Sequence, residues 1–464
     1  MTRFDAPSQR RHRQLRLEIR RALLVSLPLI GAQLLHVGNG MIDALIAGRI
    51  GSIELAAGGV GSAIFTIILL ASIGLMASLS PTMAQAIGQS RRRDVGSLFR
   101  QGIWLALVIG SLGFVLLGLI IRVLPAWNLT PELVPQIQSY LAAARWGIPP
   151  ALLFLAARNV CEASGGGRSV LIVQALGLVI NLFGNLALGL GWFGFPALGL
   201  TGIGWSTALV MLFTCLALSW LLTGKFFRSF GLYDRFEWPS RTQLTRLLKL
   251  SAPISLAILF EAGLFTATAI QMGMLGTIAA SAHNIAIGIA ALAYMLPLGL
   301  GMSLTARVGV AFGRNSDASI RLRVCSGTIL TLIMALGGAL VLVLFHRHIP
   351  ALYTTDTAVR ELAAQLLLMA AIFQLSDSFQ VTLLSMLRGL QDTYVPVAIN
   401  AFSYWVIAFG CSYFMTHKLG FGAHGLWLGL IIGLTISALL LSWRLKWKLD
   451  QRQQTLLLVP QTNT

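Results

Sequence analysis

Apolar runs long enough to cross a lipid bilayer recur from one end of this chain to the other, and no other feature restricts its fold as strongly. Examples are Ala57–Gln85, Gly102–Leu124, Val170–Leu190, Leu200–Leu222 and Val324–Phe345. About 20 apolar residues of helix cross the ~30 Å hydrocarbon layer. Lipid offers no water to backbone polar groups, so a run of this kind satisfies them within itself as a helix. A transmembrane barrel would show short alternating segments instead, and the sequence lacks them. The composition agrees: of 464 residues, 56% are hydrophobic and 11% charged, outside the range of soluble domains. The expectation is an all-α integral membrane protein of about twelve transmembrane helices.

The net charge of +18 raises nucleic-acid binding as an alternative, and its distribution argues against it. Arg3, Arg10, Arg11, Arg13, Arg16, Arg20 and Arg21 precede the first span, and Arg91, Arg92, Arg93 and Arg100 follow the second. Lys225, Arg228, Arg235, Arg241, Arg246 and Lys249 lie between the sixth and seventh. Arg314, Arg321 and Arg323 follow the eighth, and Arg444, Lys446, Lys448 and Arg452 the last. The intervening loops carry little beyond Arg49, Arg122, Arg347, Arg360 and Lys418. This is the positive-inside pattern for an even number of spans, with both termini in the cytoplasm. The basic N-terminal segment runs into a full-length span without a small-residue cleavage site, so the first helix is expected to be retained. Cys161, Cys215, Cys325 and Cys411 are widely spaced and read as packing residues, not as a metal site or a disulfide framework.

The chain is also duplicated. Pro28 and Pro253, Gly51 and Gly276, Gly74 and Gly299, and Gly88 and Gly313 each stand 225 residues apart. Gly165 and Gly389 stand 224 apart, and Gly199 with Gly422 and Gly202 with Gly425 stand 223 apart. Six spans per half place the second copy in the membrane in the same orientation as the first. The halves are then related by a pseudo-two-fold axis along the membrane normal, with a cavity between them. The expected organisation is a basic cytoplasmic N-terminus (1–21), a six-helix lobe (22–224), a cytoplasmic linker (225–248), a second six-helix lobe (249–448) and a cytoplasmic tail (449–464). The linker is read as a tether without a chemical role.

The segment from Pro28 through Asp43 to Ile46-Ala47-Gly48-Arg49-Ile50-Gly51 and Leu55-Ala56-Ala57, followed by Gln85-Ala86-Ile87-Gly88 and a basic loop, resembles the first two helices of the multidrug and toxic compound extrusion (MATE) transporters. Leu387-Arg388-Gly389-Leu390-Gln391-Asp392-Thr393 resembles their second-half signature. The resemblance runs from about residue 20 to 448. Acidic residues in the first, seventh and tenth spans make it most similar to the bacterial NorM-like branch. It implies a V-shaped pair of lobes in the bacterial inner membrane, working as a monomer among membrane lipids without a cofactor and without nucleic acid. It further implies an antiporter that exports amphipathic, often cationic drugs in exchange for H⁺ or Na⁺, with antibiotic resistance as a consequence.

Independently of any family, Asp43, Glu261 and Asp377 need an explanation. Each lies in an apolar run, where an ionised side chain at mid-helix costs ~2.5–3.5 kcal/mol or more. Such a carboxylate exchanges a proton, binds a cation, or is held by a structural hydrogen bond. Asn181 and Asn185 are four apart and face one side of a helix, where their carbonyl oxygens could join Asp43 around a hard cation or in a proton network. By resemblance these residues, with Thr207, form a cation or proton site of the N-terminal lobe. Glu261 and Asp377 by resemblance form a coupling and substrate site of the C-terminal lobe, so Na⁺ would be held at Asp43 or between Glu261 and Asp377. The tyrosine common one turn before the tenth-span aspartate is Phe373 here, which removes a hydroxyl and disfavours sodium. At the 225-residue offset His36 matches Glu261 and Thr268 matches Asp43, so the scaffold is duplicated and the charges are not.

His36 is seven residues before Asp43, on nearly the same helical face, and is a candidate proton acceptor or cavity residue. Glu162 with Arg158 and Asp392 with Arg388 have helix ion-pair spacing. Phe260, Phe265, Tyr294 and Phe373, with Met272, Met274 and Met295, are candidates to line a cavity for flat cations, although each also fits ordinary packing.

The sequence holds no Gly-x-x-x-x-Gly-Lys phosphate loop, no His-Glu-x-x-His and no paired cysteines, so ATP-driven or metal-enzyme chemistry is not expected. Two rival readings are a lipid-linked oligosaccharide flippase of the wider superfamily, which would need a basic cavity, and an intramembrane transferase, which would need polar clusters in long loops.

Overall fold

The computed structural model describes residues 7–127 and 129–458. Among them are twelve helices long and apolar enough to cross a membrane. They are α1 (His12–Ile50), α2 (Ser52–Gly88), α3 (Arg92–Ala126), α4 (Leu133–Ser164), α5 (Gly167–Gly189) and α6 (Leu200–Leu221) in the first half. The second half holds α7 (Arg241–Met274), α8 (Thr277–Gly313), α9 (Asp317–Phe345), α10 (Thr357–Gly389), α11 (Tyr394–Lys418) and α12 (Gly422–Gln454). Pro28, Pro253 and Pro297 lie inside α1, α7 and α8, where packed neighbours compensate the lost backbone bond. Two helices contain π-helical segments: α5 ends in one, Asn185–Gly189, and α11 contains two, Phe402–Ala408 and Phe414–Lys418.

The duplicated glycines have duplicated jobs. Gly199 and Gly422 both take positive φ, 60° and 53°, where α6 and α12 begin. Three residues on, a Cβ at Gly202 would strike the Leu188 carbonyl, and one at Gly425 would lie 2.8 Å from the Thr416 nitrogen. Only a missing side chain lets the end of α5 or α11 approach the start of the next helix so closely.

The chain forms two compact units, one of Gly31–Leu259 and the other of the residues up to Ile30 together with Phe260 onward. Each unit therefore takes the first turns of the opposite half's leading helix. In the first unit α7 docks on α2: a Cβ at Gly74 would lie 2.7 Å from Ser255 Cβ. Ser255 Oγ donates to Ala71 O at 2.8 Å, and Ser251 Oγ to Ser78 Oγ at 2.6 Å. In the second unit α1 docks on α8, where a Cβ at Gly299 would lie 2.7 Å from Ile30 N. The two contacts share one register, since Gly74 and Gly299, like Ile30 and Ser255, are 225 apart. At the end of this second contact Glu18, 8% exposed, bonds Arg307 and lies 3.5 Å from Arg323 Nε.

The linker after α6 is strapped to α3. Glu237 accepts from Arg100 Nη2 (2.8 Å), Ser97 Oγ (2.8 Å) and Arg235 Nε (2.7 Å). Arg100 Nη1 also donates to the Gly231 carbonyl at 2.6 Å. Gln101 brackets the next turn, donating to Trp238 O at 2.9 Å and accepting from Ser240 N at 2.7 Å. Trp104 donates to Glu237 O at 2.9 Å and stacks on Trp238, with ring centroids 6.4 Å apart. The Arg100 hydrogen bond, helped by those of Ser97 and Arg235, holds the Glu237 carboxyl down at about 2 against burial, which raises it.

Because the folded-state pKa is lowered, this stabilisation is fully present above the ordinary carboxylate value and is lost as pH falls from there toward about 2. Glu237→Gln should remove it, at a cost of about 1–3 kcal/mol for a charged hydrogen-bonded partner. Thermal unfolding of the purified pair should show a gap that is constant at neutral pH and closes below about pH 4.5. A gap that widened on acidification would refute the assignment.

Candidate functional site

In the first unit, α1, α5 and α6 bring four side chains together. Asp43 Oδ1 accepts from Asn181 Nδ2 at 2.9 Å and from Asn185 Nδ2 at 2.6 Å. The single Thr207 hydroxyl proton is shared between Asp43 Oδ2, at 3.4 Å, and the Ile203 carbonyl, at 3.0 Å. Asn185 Nδ2 also reaches Asn181 Oδ1 at 3.3 Å. Asn181 and Asn185 are 1% and 0% exposed, and Asp43 is half-buried. Local structure sets the geometry. A Cβ at Gly184 would lie 2.5 Å from Ser206 Oγ, so that glycine lets α5 sit tightly on α6. One residue later α5 widens into its π-helical turn, which starts at Asn185.

The four candidates on these helices do meet, with one difference from the expected chemistry. The asparagines turn their NH₂ groups to the carboxylate and keep their carbonyl oxygens away from it. Asp43 is thus held as a hydrogen-bond acceptor by three donors, and Asn185 Oδ1 stays buried without a partner. That unpaired carbonyl and the half-buried Asp43 carboxylate are the oxygens this cluster offers to a cation. His36 is exposed and stands outside the hydrogen-bonded group.

The second unit carries the other two carboxylates. Tyr294 on α8 donates to Glu261 Oε1 at 3.4 Å, and Arg388 on α10 lies within electrostatic reach of Glu261. Asp377 on α10 is 2% exposed, and its Oδ1 has no partner. The charge that acts on Asp377 is that of Glu261. Two acids with one arginine beside Glu261 leave an excess negative charge at Asp377, which fits a single proton or monovalent cation. Among the described residues no group of three or more His, Cys, Asp or Glu could hold a metal ion.

The MatE family pattern matches residues 28–187 and again residues 253–414, once per half. The chain belongs to the MatE family. A probable multidrug resistance protein NorM from Xanthomonas axonopodis pv. citri is 35% identical over 89% of this chain and 91% of its own length. Multidrug resistance protein PmpM from Pseudomonas aeruginosa is 35% identical over 90% of this chain and 89% of its own. The fold is that of the Vibrio cholerae MATE transporter VcmN in its bent form, with TM-score 0.83 and 19% identity over 95% and 99% of the two chains. An outward-facing multidrug resistance MATE structure gives TM-score 0.86 at 20% identity over 95% and 98%.

Other MatE candidates fall elsewhere. Arg158 does pair with Glu162, at 2.8 Å, and its Nη2 also donates to Gln33 Oε1 at 2.8 Å. Asp392 takes Arg444 Nε at 2.7 Å, so the expected Arg388–Asp392 pair is replaced by one from α12. Arg388 instead lies within electrostatic reach of Glu261. Phe373 is 2% exposed, its ring packed at 5.7 Å from Trp427 and 6.1 Å from Phe265. Phe260 and Phe265 pack against the same apolar cluster, so these aromatics build the core beneath the acids. Met272 is fully buried and Met274 is 77% exposed, so the two share no surface. Cys161 and Cys215 are buried as packing residues, whereas Cys325 is exposed.

Tyr404, which sequence reasoning passed over, also belongs to the second cluster: it is fully buried and interacts electrostatically with Glu261, Asp377 and Arg388. Its signal in the sequence is the repeat, since it stands 223 residues after Asn181.

Asp43 and its amide donor Asn185 should behave as a coupled pair. In a double-mutant cycle of Asp43→Ala and Asn185→Ala, read by thermal unfolding, a coupling of about 1 kcal/mol or more is expected. Additive losses would mean that the Asn185 contact carries no stabilisation.

Proposed function

We propose that this chain is a secondary multidrug efflux antiporter of a bacterial inner membrane, exporting amphipathic, often cationic compounds by alternating access in exchange for H⁺ or Na⁺. Both termini face the cytoplasm, the unit of transport is the monomer, and no cofactor takes part. The observation that carries this reading is the Asp43 cluster: a carboxylate within a membrane helix, held by Asn181, Asn185 and Thr207. Structural needs alone would be met by an uncharged residue at far lower cost.

The chemistry follows from charge. An ionised Asp43 or Asp377 is costly to enclose, and neutralising it by a proton or a sodium ion lowers that cost. Enclosure and opening then favour different protonation or ligation states, which is what an exchanger requires. Asn181, Asn185 and Thr207 hold the Asp43 carboxylate in a fixed position, so that the gain or loss of its charge changes the hydrogen bonding of α5 and α6 together. In the second unit Arg388 compensates Glu261 and leaves Asp377 as the group that takes up the cation. The acidic character of both clusters disfavours a lipid-linked pyrophosphate as cargo.

Ethidium efflux in membrane vesicles or proteoliposomes, with a pH gradient or a sodium gradient imposed one at a time, tests the reading and names the coupling ion. Asp43→Asn should abolish efflux, with a fall of at least tenfold at unchanged protein level. Unchanged efflux would remove Asp43 from the mechanism.

A further inference from the structure

Arg145 lies inside the membrane-spanning part of α4, twelve residues past its start at Leu133, and no acid answers its charge. Among the described residues it takes part in no ion pair, whereas Arg100, Arg158, Arg307 and Arg444 each hold a carboxylate. Its guanidinium stands over the Phe114 ring of α3, 4.6 Å from the centroid, and Phe114 in turn meets Trp146 edge to face at 4.9 Å. Arg145 Nε is buried without a hydrogen-bond partner. Stacking on an aromatic ring offsets only part of the cost of a cation in hydrocarbon, so the position calls for an anion that the protein itself does not supply.

Two successive prolines set the local backbone. Pro149 and Pro150 carry no N–H, so the α-helical bonds to the Arg145 and Trp146 carbonyls cannot form. The chain tightens instead into a 3₁₀ turn, Arg145–Gly147, and Ile148 N donates to Arg145 O. On α3 the facing surface is stripped of side chains: a Cβ at Gly110 would lie 2.9 Å from Pro149 Cα, and one at Gly118 would lie 2.9 Å from Arg145 Nη1. The guanidinium thus occupies a notch on α3. That notch opens toward lipid, since Val115, Leu119 and Trp146 around it are 55%, 51% and 54% exposed. Residues 101–121 of α3 hold no charge, and the run ends at the exposed Arg122, on the membrane face opposite the Arg91–Arg93 loop. Gly118 and Arg122 are four apart on one helical face, which puts the Arg145 head about 6 Å inside the level of Arg122.

We propose that Arg145 is the phosphate-binding residue of a phospholipid site on the α3–α4 face, taking an anionic phosphodiester headgroup from the leaflet opposite the Arg91–Arg93 loop, with the acyl chains against Val115 and Leu119. A guanidinium presents its donors as a planar fork that matches two phosphate oxygens, and Phe114 fixes the plane of that fork from one side. Arg122 adds a second cation one turn further out, and neither arginine is engaged in an ion pair among the described residues. A net-anionic headgroup is therefore favoured over a zwitterionic one. Depth selects a lipid over a dissolved anion: a headgroup drawn inward from the interface reaches the Arg145 head, whereas free phosphate would have to leave water for a notch among apolar side chains.

The test is lipid binding to the purified full-length chain in mild detergent, read by native mass spectrometry. Phosphatidylglycerol, a diacylglycerol with the same chains, and inorganic phosphate serve as separate probes. The wild type should bind its first phosphatidylglycerol at least fivefold more tightly than Arg145→Gln does, while diacylglycerol and inorganic phosphate should not distinguish the two proteins. Gly118→Ala keeps every charge and displaces only the flexible tip of Arg145 from its notch, so it should lose threefold or more, which a purely electrostatic attraction to the surface would not produce. Arg91→Gln removes a cation from the other membrane face and should match the wild type. Gel filtration and thermal unfolding establish that each variant folds, and Gly118→Ala carries the test if Arg145→Gln does not. A folded Arg145→Gln, or in its place Gly118→Ala, with an affinity within twofold of wild type overturns the proposal, and so does an equal loss in Arg91→Gln. Inorganic phosphate bound as tightly as phosphatidylglycerol, with the same dependence on Arg145, makes the site one for a dissolved anion and overturns it as well.

Discussion

Hydrocarbon offers no hydrogen bonds, and everything distinctive about this protein follows from how it meets that constraint. The backbone meets it by forming twelve spanning helices. Side chains meet it case by case. Ser72, Thr268, Thr331 and Thr382 turn back to carbonyls of their own helices, Glu162 pairs with Arg158 one turn away, and Asp43 takes its partners from other helices. Asp43 has found three. Asp377 has found none for one of its oxygens, and in a low-dielectric interior that is the costlier condition.

The same constraint explains why the glycines matter more than the large apolar residues. Without water to squeeze out between helices, packing depends on close approach. The tightest approaches here are glycine contacts such as Gly74 on Ser255, Gly299 on Ile30, and Gly202 on the end of α5. They fix which helix faces which, and so which polar side chains can meet. Gly184 against Ser206 is the local example, seating α5 on α6 where Asn181, Asn185 and Thr207 converge on Asp43.

The register of the repeat was open to inspection in the sequence, but its packing consequence was not. A boundary drawn through the polar linker is natural when only polarity is visible. The compact units instead divide within α1 and α7, because the first turns of each helix find their glycine contact in the opposite half. Glu18 illustrates the point: in the sequence it is one acid in a basic leader, and in the structure it neutralises Arg307 and Arg323, about three hundred residues away. The linker, which looked like a tether, is fixed along α3 by the Glu237 carboxylate and its donors and by Gln101 and Trp104.

By itself, the sequence determined the class of fold, the number of spans, the duplication and the identity of the costly charges. Each of these depends on hydrophobicity and spacing, which are local properties of the chain. The Asp43 cluster was legible in part: spacing put Asn181 and Asn185 on one helical face, while their meeting with Asp43 and Thr207 was what the family resemblance implied. What only the tertiary structure decided was orientation. It turned the amides of Asn181 and Asn185 toward Asp43, moved Asp392 from Arg388 to Arg444, and buried the Tyr404 hydroxyl without a partner. An aromatic residue in an apolar run looks like packing, and a π-helical turn has no signature in hydropathy. Its effect is a rotation, and rotations about a helix axis are settled by the neighbours against which the helix packs.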